Sequence, residues 1–269
     1  MLSLEQAVAQ ILAALPAPRP EAVPLSAAFG RIALAEISAP IDLPRFDNSA
    51  MDGYAVRAAV LVGASAEQPV ALQLCGQASA GEVLRAQVEP GACARIFTGS
   101  ALPAGADAVV MQEDTRVDKA APERVWFLEP VKPWENVRFR GEDVKHGTAL
   151  LKPGERISAG RLSLLGATGL SEVMVGKQPT VGVLATGSEL QPAGCALAPG
   201  QIYESNRFTL AALATQAGVR PIAYPLVPDD LESTQAALER ACAECDLVIT
   251  SGGVSVGELD FVKRAWERI

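Results

Sequence analysis

A chain of 269 residues is long for a single hydrophobic core, so two or three domains are expected. Apolar residues make up 49% and charged residues 20% of the total, which fits a well-buried globular protein and excludes a disordered one. The net charge of −8 argues against nucleic acid as a partner, because such surfaces gather Lys and Arg against phosphates.

Residues 1–6 lack the basic start and continuous apolar core of a signal peptide, and no apolar run nears the roughly 20 residues that cross a bilayer. A cytoplasmic chain with no membrane partner is expected. Leu4, Ala7, Val8, Ile11, Leu12 and Leu15 recur at helical spacing, with Ser3 placed to cap the start and Pro16, Pro18 and Pro20 beyond the end. A short helical patch is expected over 26–31 and extended chain over 33–37. From Pro40 to about residue 140, short apolar runs alternate with Gly, Pro and charged turns, as at 70–74, 93–97, 108–111 and 125–128. Such spacing predicts a small β-barrel or sandwich. A mixed pattern resumes over 141–177, with a helix over 158–165. This segment is expected to return to the amino-terminal helices, which makes the β-rich part an insertion.

Residues 178–269 alternate strands (180–184, 219–227, 247–250) with helices (205–217 ending at Gly218, 231–242, 260–269). Alternation of this kind predicts parallel strands with helices on both faces. The expected architecture is an α/β multidomain chain. It has a mixed helical amino-terminal domain (1–39 plus 141–177), an inserted β-rich domain (40–140), and a three-layer, doubly wound parallel-sheet domain (178–269) that is incomplete. The five cysteines are irregularly spaced and odd in number, unlike a disulfide framework. Cys242 and Cys245 form a C-x-x-C, but there is no second such pair and His146 is the sole histidine. They read as ordinary residues near a helix end rather than as a redox pair or half a zinc site.

Ligands of parallel sheets bind beyond the carboxyl ends of the strands, and three loops meet there. The first holds Thr186, Gly187, Ser188 and Glu189, the second Asp229 and Asp230, and the third Ser251, Gly252, Gly253, Ser255, Gly257, Glu258 and Asp260. The third runs from an apolar strand into Phe261, Val262, Ala265, Trp266 and Ile269 at helical spacing. A glycine-rich strand-loop-helix of this form is a common phosphate cradle. Amides and hydroxyls suit an oxyanion, whereas carboxylates facing the same place repel it unless a divalent cation lies between. A metal-bridged phosphate ligand is therefore expected. Asp230 reads equally well as a cap for the helix at 231.

A second constellation is Phe46-Asp47-Asn48-Ser49-Ala50-Met51-Asp52-Gly53-Tyr54, which by itself also reads as a polar turn. Arg95-Ile96-Phe97-Thr98-Gly99 and Arg138-Phe139-Arg140-Gly141-Glu142-Asp143 add arginines that either pin a phosphate or bridge surface carboxylates.

These loops, taken with Gly200-Gln201-Ile202-Tyr203, Ser205-Asn206-Arg207 and Pro228-Asp229-Asp230, resemble the molybdopterin molybdenumtransferase family (MoeA and the gephyrin E domain). The resemblance runs from about residue 3 to the end of the chain. It implies insertion of molybdate into adenylylated molybdopterin with release of AMP. It also implies a homodimer whose active cleft lies between the parallel-sheet domain of one subunit and the β-rich domain of the other, and a transient contact with the upstream molybdopterin adenylyltransferase. Functional residues then fall on Asp52, Thr98, Asp143, Glu189, Asp229 and Asp260. Substrate binding falls on Thr186, Gly187, Ser188, Ser251, Gly252, Gly253, Ser255 and Gly257. Magnesium, or another divalent cation, is expected on a subset of Glu189, Asp229 and Asp260. In the family the parallel-sheet domain continues with a basic loop, a glycine-proline loop and a further β domain. None of that lies within these residues, so the chain by itself is expected to lack turnover and to expose the apolar face of its final helix. The alternatives are a non-enzymatic, peptide-binding scaffold of the gephyrin type and a different phosphate or nucleotide hydrolase.

Overall fold

The computed structural model describes residues 2–253 and 261–269. The chain forms two compact units, one of Met1–Ala35, Pro153–Ser158 and Glu172–Ile269, the other of Glu36–Lys152 and Ala159–Ser171. Residues 36–39 and 141–152 thus go with the β-rich part, and 172–177 with the parallel sheet.

In the first unit, helix α1 (Leu4–Ala14) begins with a capping box. Ser3 accepts from Gln6 N at 3.3 Å, and Gln6 Oε1 accepts from Ser3 N at 3.0 Å. No residue of α1 is buried. The expected helical patch at 26–31 is only a 3-10 turn, Leu25–Ala27, and Gly30 follows it with a φ of 74°. The Pro20–Pro24 strand pairs antiparallel with Glu172–Gly176, joining segments 150 residues apart by pairing rather than by helix packing.

The parallel sheet has the order Arg220–Ala223, Thr180–Ala185, Leu247–Ser251, so its first strand in sequence is the central one. The expected strand over 219–227 is shorter because the ladder slips by one residue: Tyr224 N donates to Val183 O, and the next donor to the central strand, at Ala185 O, is Val227 N. The crossovers are α3 (Asn206–Ala217), ended by Gly218 in the left-handed region, and α4 (Leu231–Glu244). Gly182 and Leu184 of the central strand face α4, and a Cβ on Gly182 would stand 3.2 Å from Cys245 Sγ. Right-handed crossovers put α3 on the opposite face, where Val181 and Val183 point by strand alternation. Helix α5 (Phe261–Trp266) buries Val262 and Ala265 in the α4 core, whereas Trp266 and Ile269 are exposed. The expected exposure of its apolar face is thus seen at Trp266 and Ile269 but not at Val262 and Ala265.

In the second unit, α2 (Ala159–Ala167) packs on the Ala149–Leu151 strand. The main sheet has six strands in the order Ala108–Met111, Gly53–Val56, Ala92–Ile96, Val70–Ala78, Ala121–Phe127, Thr115–Asp118. Neighbours are antiparallel except Val70–Ala78 beside Ala92–Ile96. The sheet is mixed and curls on itself, in keeping with the expected small barrel: its two edge strands are joined by the three-residue turn Gln112–Asp114, and Tyr54 meets Phe127 at 5.9 Å between ring centroids. Both of its faces are covered by the chain's own loops. Tyr54, Val56, Cys93, Val110 and Phe127 pack on one side with Ala58 and Leu61. Ala55, Ala94, Ile96 and Val109 pack on the other with Val88 and Ala106.

Candidate functional site

The order of the parallel sheet reverses at its central strand, so the crevice for a ligand lies beyond the carboxyl ends of Thr180–Ala185 and Leu247–Ser251. The three predicted loops are brought together there. Thr186 N donates to Ser251 O at 3.0 Å. Ser188 and Asp229 clasp reciprocally: Ser188 N donates to Asp229 Oδ2 at 2.8 Å and Asp229 N donates to Ser188 Oγ at 3.0 Å. Gly187 lies under the Glu189 carboxylate, and a Cβ at 187 would come within 2.6 Å of Glu189 Oε2. Gly252 and Gly253 adopt φ values of 92° and 65°. A Cβ at 252 would meet Thr186 O at 2.5 Å, and one at 253 would meet Thr186 Oγ1 at 2.8 Å. These two positions therefore demand glycine on conformation and on space together. Thr186 Oγ1 is buried and has no hydrogen-bond partner among the described residues. A buried hydroxyl costs free energy until a ligand, a water or another group of the chain bonds it.

Asp230 does what the alternative reading gave it. It caps α4 by accepting from Ser233 N at 2.7 Å, and that bond holds its carboxyl below the usual value. Ser255, Gly257 and Asp260, with Glu258, lie outside the described residues.

In the six-stranded unit, Asp52 precedes the Gly53–Val56 strand and Thr98 follows Ala92–Ile96. Asp52 Oδ1 accepts from Thr98 N at 2.8 Å and from Thr98 Oγ1 at 2.7 Å. Those bonds, the backbone one foremost, and then the nearby Arg95 charge depress its pKa below the ordinary 3.8. A folded-state value below the unfolded one means that this contribution to stability is present above the ordinary aspartate pKa and is lost as pH falls through the depressed value. Thr98→Val is expected to raise the Asp52 pKa while keeping the backbone bond, read by carboxyl NMR titration. An unmoved titration would remove the hydroxyl from this account. The Asp143 carboxylate accepts from Arg138 Nη2 at 2.5 Å, and Arg138 also reaches Glu142 at 3.4 Å. Arg138 pairs with Asn48 across the short Val137–Arg138 and Asn48–Ser49 ladder, which puts Asp143 in the same loop system as Asp52.

The MoeA N-terminal region (domain I and II) matches residues 2–169, and the probable molybdopterin binding domain matches residues 182–269. The chain belongs to the MoeA family. It is 42% identical to a molybdopterin molybdenumtransferase of Nostoc sp. over 90% of its length and 55% of that protein. It is 41% identical to one of Haemophilus influenzae over 100% of its length and 65% of that protein. A crystal structure of a molybdopterin biosynthesis MoeA protein from Pyrococcus horikoshii superposes with a TM-score of 0.80 at 36% identity, covering 99% of this chain and 66% of that one. The chain thus spans less than two thirds of these relatives.

Within this MoeA-family chain the structure adds groups that the sequence argument did not single out as site residues. Asn206 Nδ2 donates to Ser251 Oγ at 2.8 Å and anchors the third loop to the start of α3. Beside it, the Glu204 carboxylate is buried and accepts from Arg207 N at 2.7 Å and from Arg207 Nε at 2.8 Å, while Arg207 Nη1 donates to Tyr224 O. The run Glu204-Ser205-Asn206-Arg207 was the available signal, a polar cluster at a helix start. Cys242 and Cys245 are free, and among the described residues no cluster of three or more His, Cys, Asp or Glu could hold a metal. No helix among the described residues is long and apolar enough to cross a membrane.

Proposed function

We propose that this chain carries out the ligand-holding part of molybdate insertion into adenylylated molybdopterin, the step that releases AMP. One observation carries the reading: three polar loops converge at the switch point of the parallel sheet around a buried hydroxyl, Thr186 Oγ1, with no partner among the described residues. The hydroxyls of Thr186, Ser188 and Ser251 and the amides of Gly252 and Gly253 bind and orient phosphate oxygens, while the Thr186 and Ser188 amides hold the loops together. The Ser188–Asp229 clasp keeps two of those loops in register. In the proposed homodimer, Asp52, held by Thr98, and Asp143, held by Arg138, orient molybdate and water at the sheet loops of the other subunit. The homodimer and the contact with the upstream adenylyltransferase belong to the same proposal.

The donor set at the sheet is all oxygen, which fits a hard cation bound through one or two carboxylates and the substrate's phosphates. Glu189 and Asp229 would hold magnesium, with Asp260 assigned to the same role. A bound cation would neutralise charge on the phosphoanhydride.

Calorimetric titration tests the reading. The chain is expected to bind AMP about ten-fold more tightly with magnesium than without, and Glu189→Ala is expected to abolish that dependence. AMP affinity indifferent to both magnesium and the substitution would overturn it. ATP or GTP bound more tightly than AMP would favour a nucleotide hydrolase instead.

A further inference from the structure

Beside the Asp52 and Asp143 loops lies a feature that folding does not explain. Trp134 has a φ of 67° and Asn136 one of 56°. Asparagine tolerates the left-handed region, but a bulky aromatic there is an outlier. The conformation is fixed from several sides. Trp134 N donates to Asp107 O at 2.5 Å, Val109 N donates to Glu135 O at 3.0 Å, and Asn136 Nδ2 donates to Val109 O at 2.9 Å. Given that backbone, glycine is the residue that stability favours at 134. The indole gains little burial in return, being 48% exposed. Its ring meets that of Phe139, at 5.6 Å between centroids and tilted by 53°.

The pair is continuous with the candidate site. Asn136 O accepts from Ala50 N at 2.9 Å, two residues before Asp52. Phe139 N donates to Glu142 Oε2 at 2.8 Å in the turn that carries Asp143. Phe46 and Met51 of the Asp52 loop are exposed as well, so large apolar surface and carboxylates share these segments, with Asp52 and Asp143 each bound through Oδ1 and each leaving Oδ2 unengaged among the described residues. Exposed aromatics in this setting offer a stacking face, and carboxylates beside it accept paired N–H donors. A 2-amino-4-oxo bicyclic ring presents two adjacent donors on one edge, which adenine does not.

We propose that Trp134 and Phe139 form the stacking face for the pterin ring of the substrate, an assignment that rests on the functional reading above. The left-handed backbone aims the indole outward, and the carboxylate-bearing loops read the donor edge of the ring.

The test is calorimetric titration of 6-hydroxymethylpterin and, separately, of AMP into wild type, Trp134→Gly and Trp134→Phe. Trp134→Gly is expected to melt no lower than wild type, because glycine relieves the left-handed backbone, and to bind the pterin about ten-fold more weakly. Trp134→Phe is expected to retain most of the affinity, since a phenyl ring still stacks. Equal pterin affinity in wild type and Trp134→Gly overturns the stacking face and leaves the functional reading intact. A lower melting temperature for Trp134→Gly makes the indole structural and also overturns it. An AMP affinity that falls in Trp134→Gly while pterin affinity does not assigns the face to adenine. A wild-type chain that binds neither probe overturns the functional reading itself.

Discussion

Gly53→Ala is expected to destabilise the six-stranded unit by about 4 kcal/mol, combining an overpacked site with lost ladder hydrogen bonds. A Cβ at residue 53 would lie 1.9 Å from Val110 O and 2.9 Å from the Val110 carbonyl carbon. Both obstacles are backbone, so no rotamer change clears them. Sideways relief is closed as well, because Gly53 pairs with Met111 on one flank and Ile96 on the other. The strand must part from Ala108–Met111 or the sheet must open. The consequence reaches the site, since Gly53 O accepts from Arg95 Nη1 at 3.2 Å and Asp52 O accepts from Gln112 N at 3.0 Å. Moving this strand therefore moves Asp52 away from Thr98. Urea unfolding followed by tryptophan fluorescence in a Trp266→Phe background reports on this unit, since Trp126 and Trp134 both lie in it. Because the chain has two units, that transition is fitted separately. A midpoint within error of wild type would show that the 53–110 approach is not a packing constraint.

The parts legible in the sequence were those with local causes. Alternating strands and helices after residue 178 place Thr186, Ser188, Glu189, Asp229 and Ser251 at strand ends, because a parallel strand and its crossover fix where the next loop emerges. The cap on α1 and the Gly218 stop of α3 were legible for the same reason. What stayed hidden depends on groups distant in sequence. The Asn206–Ser251 bond spans 45 residues, and no spacing rule announces it. The curled six-stranded sheet was legible as short, evenly spaced strands, but its mixed strand order was not, and both of its faces are covered. Its strands are then apolar on alternate and intervening positions alike, as in the buried Tyr54-Ala55-Val56 run, and period-2 patterning is lost. Trp134 carried no signal as sequence, because its backbone conformation is what makes the residue unusual there.

Arg207→Met is expected to destabilise the parallel-sheet unit by about 3–5 kcal/mol at neutral pH, the cost of stranding a buried charge. Glu204 is 4% exposed, and it accepts from Arg207 Nε and Arg207 N, with the Asn206 N–H adding to them. Burial pushes the Glu204 carboxyl up, but the Arg207 bonds and charge outweigh it, so the net shift is below the ordinary 4.5. The ion pair therefore stabilises the fold above that pH and fades as pH falls through the depressed value. With methionine at 207 the guanidinium bond and charge are lost while the residue 207 N–H bond stays, so the carboxyl rises relative to wild type and the ionised form of Glu204 stabilises the fold less. The gap between wild type and variant is thus widest near pH 7 and narrows below about pH 4. Glu204→Gln combined with Arg207→Met removes the stranded charge and is expected to recover most of the loss. The same substitution loosens the start of α3, from which Asn206 reaches Ser251, so the third loop loses its anchor before the sheet unfolds. Thermal unfolding of the single and double variants at pH 4 and pH 7 checks the argument. A penalty that is equal at both pH values, or undiminished in the double variant, would mean that Arg207 acts through its bond to Tyr224 O and its packing rather than through the charge of Glu204.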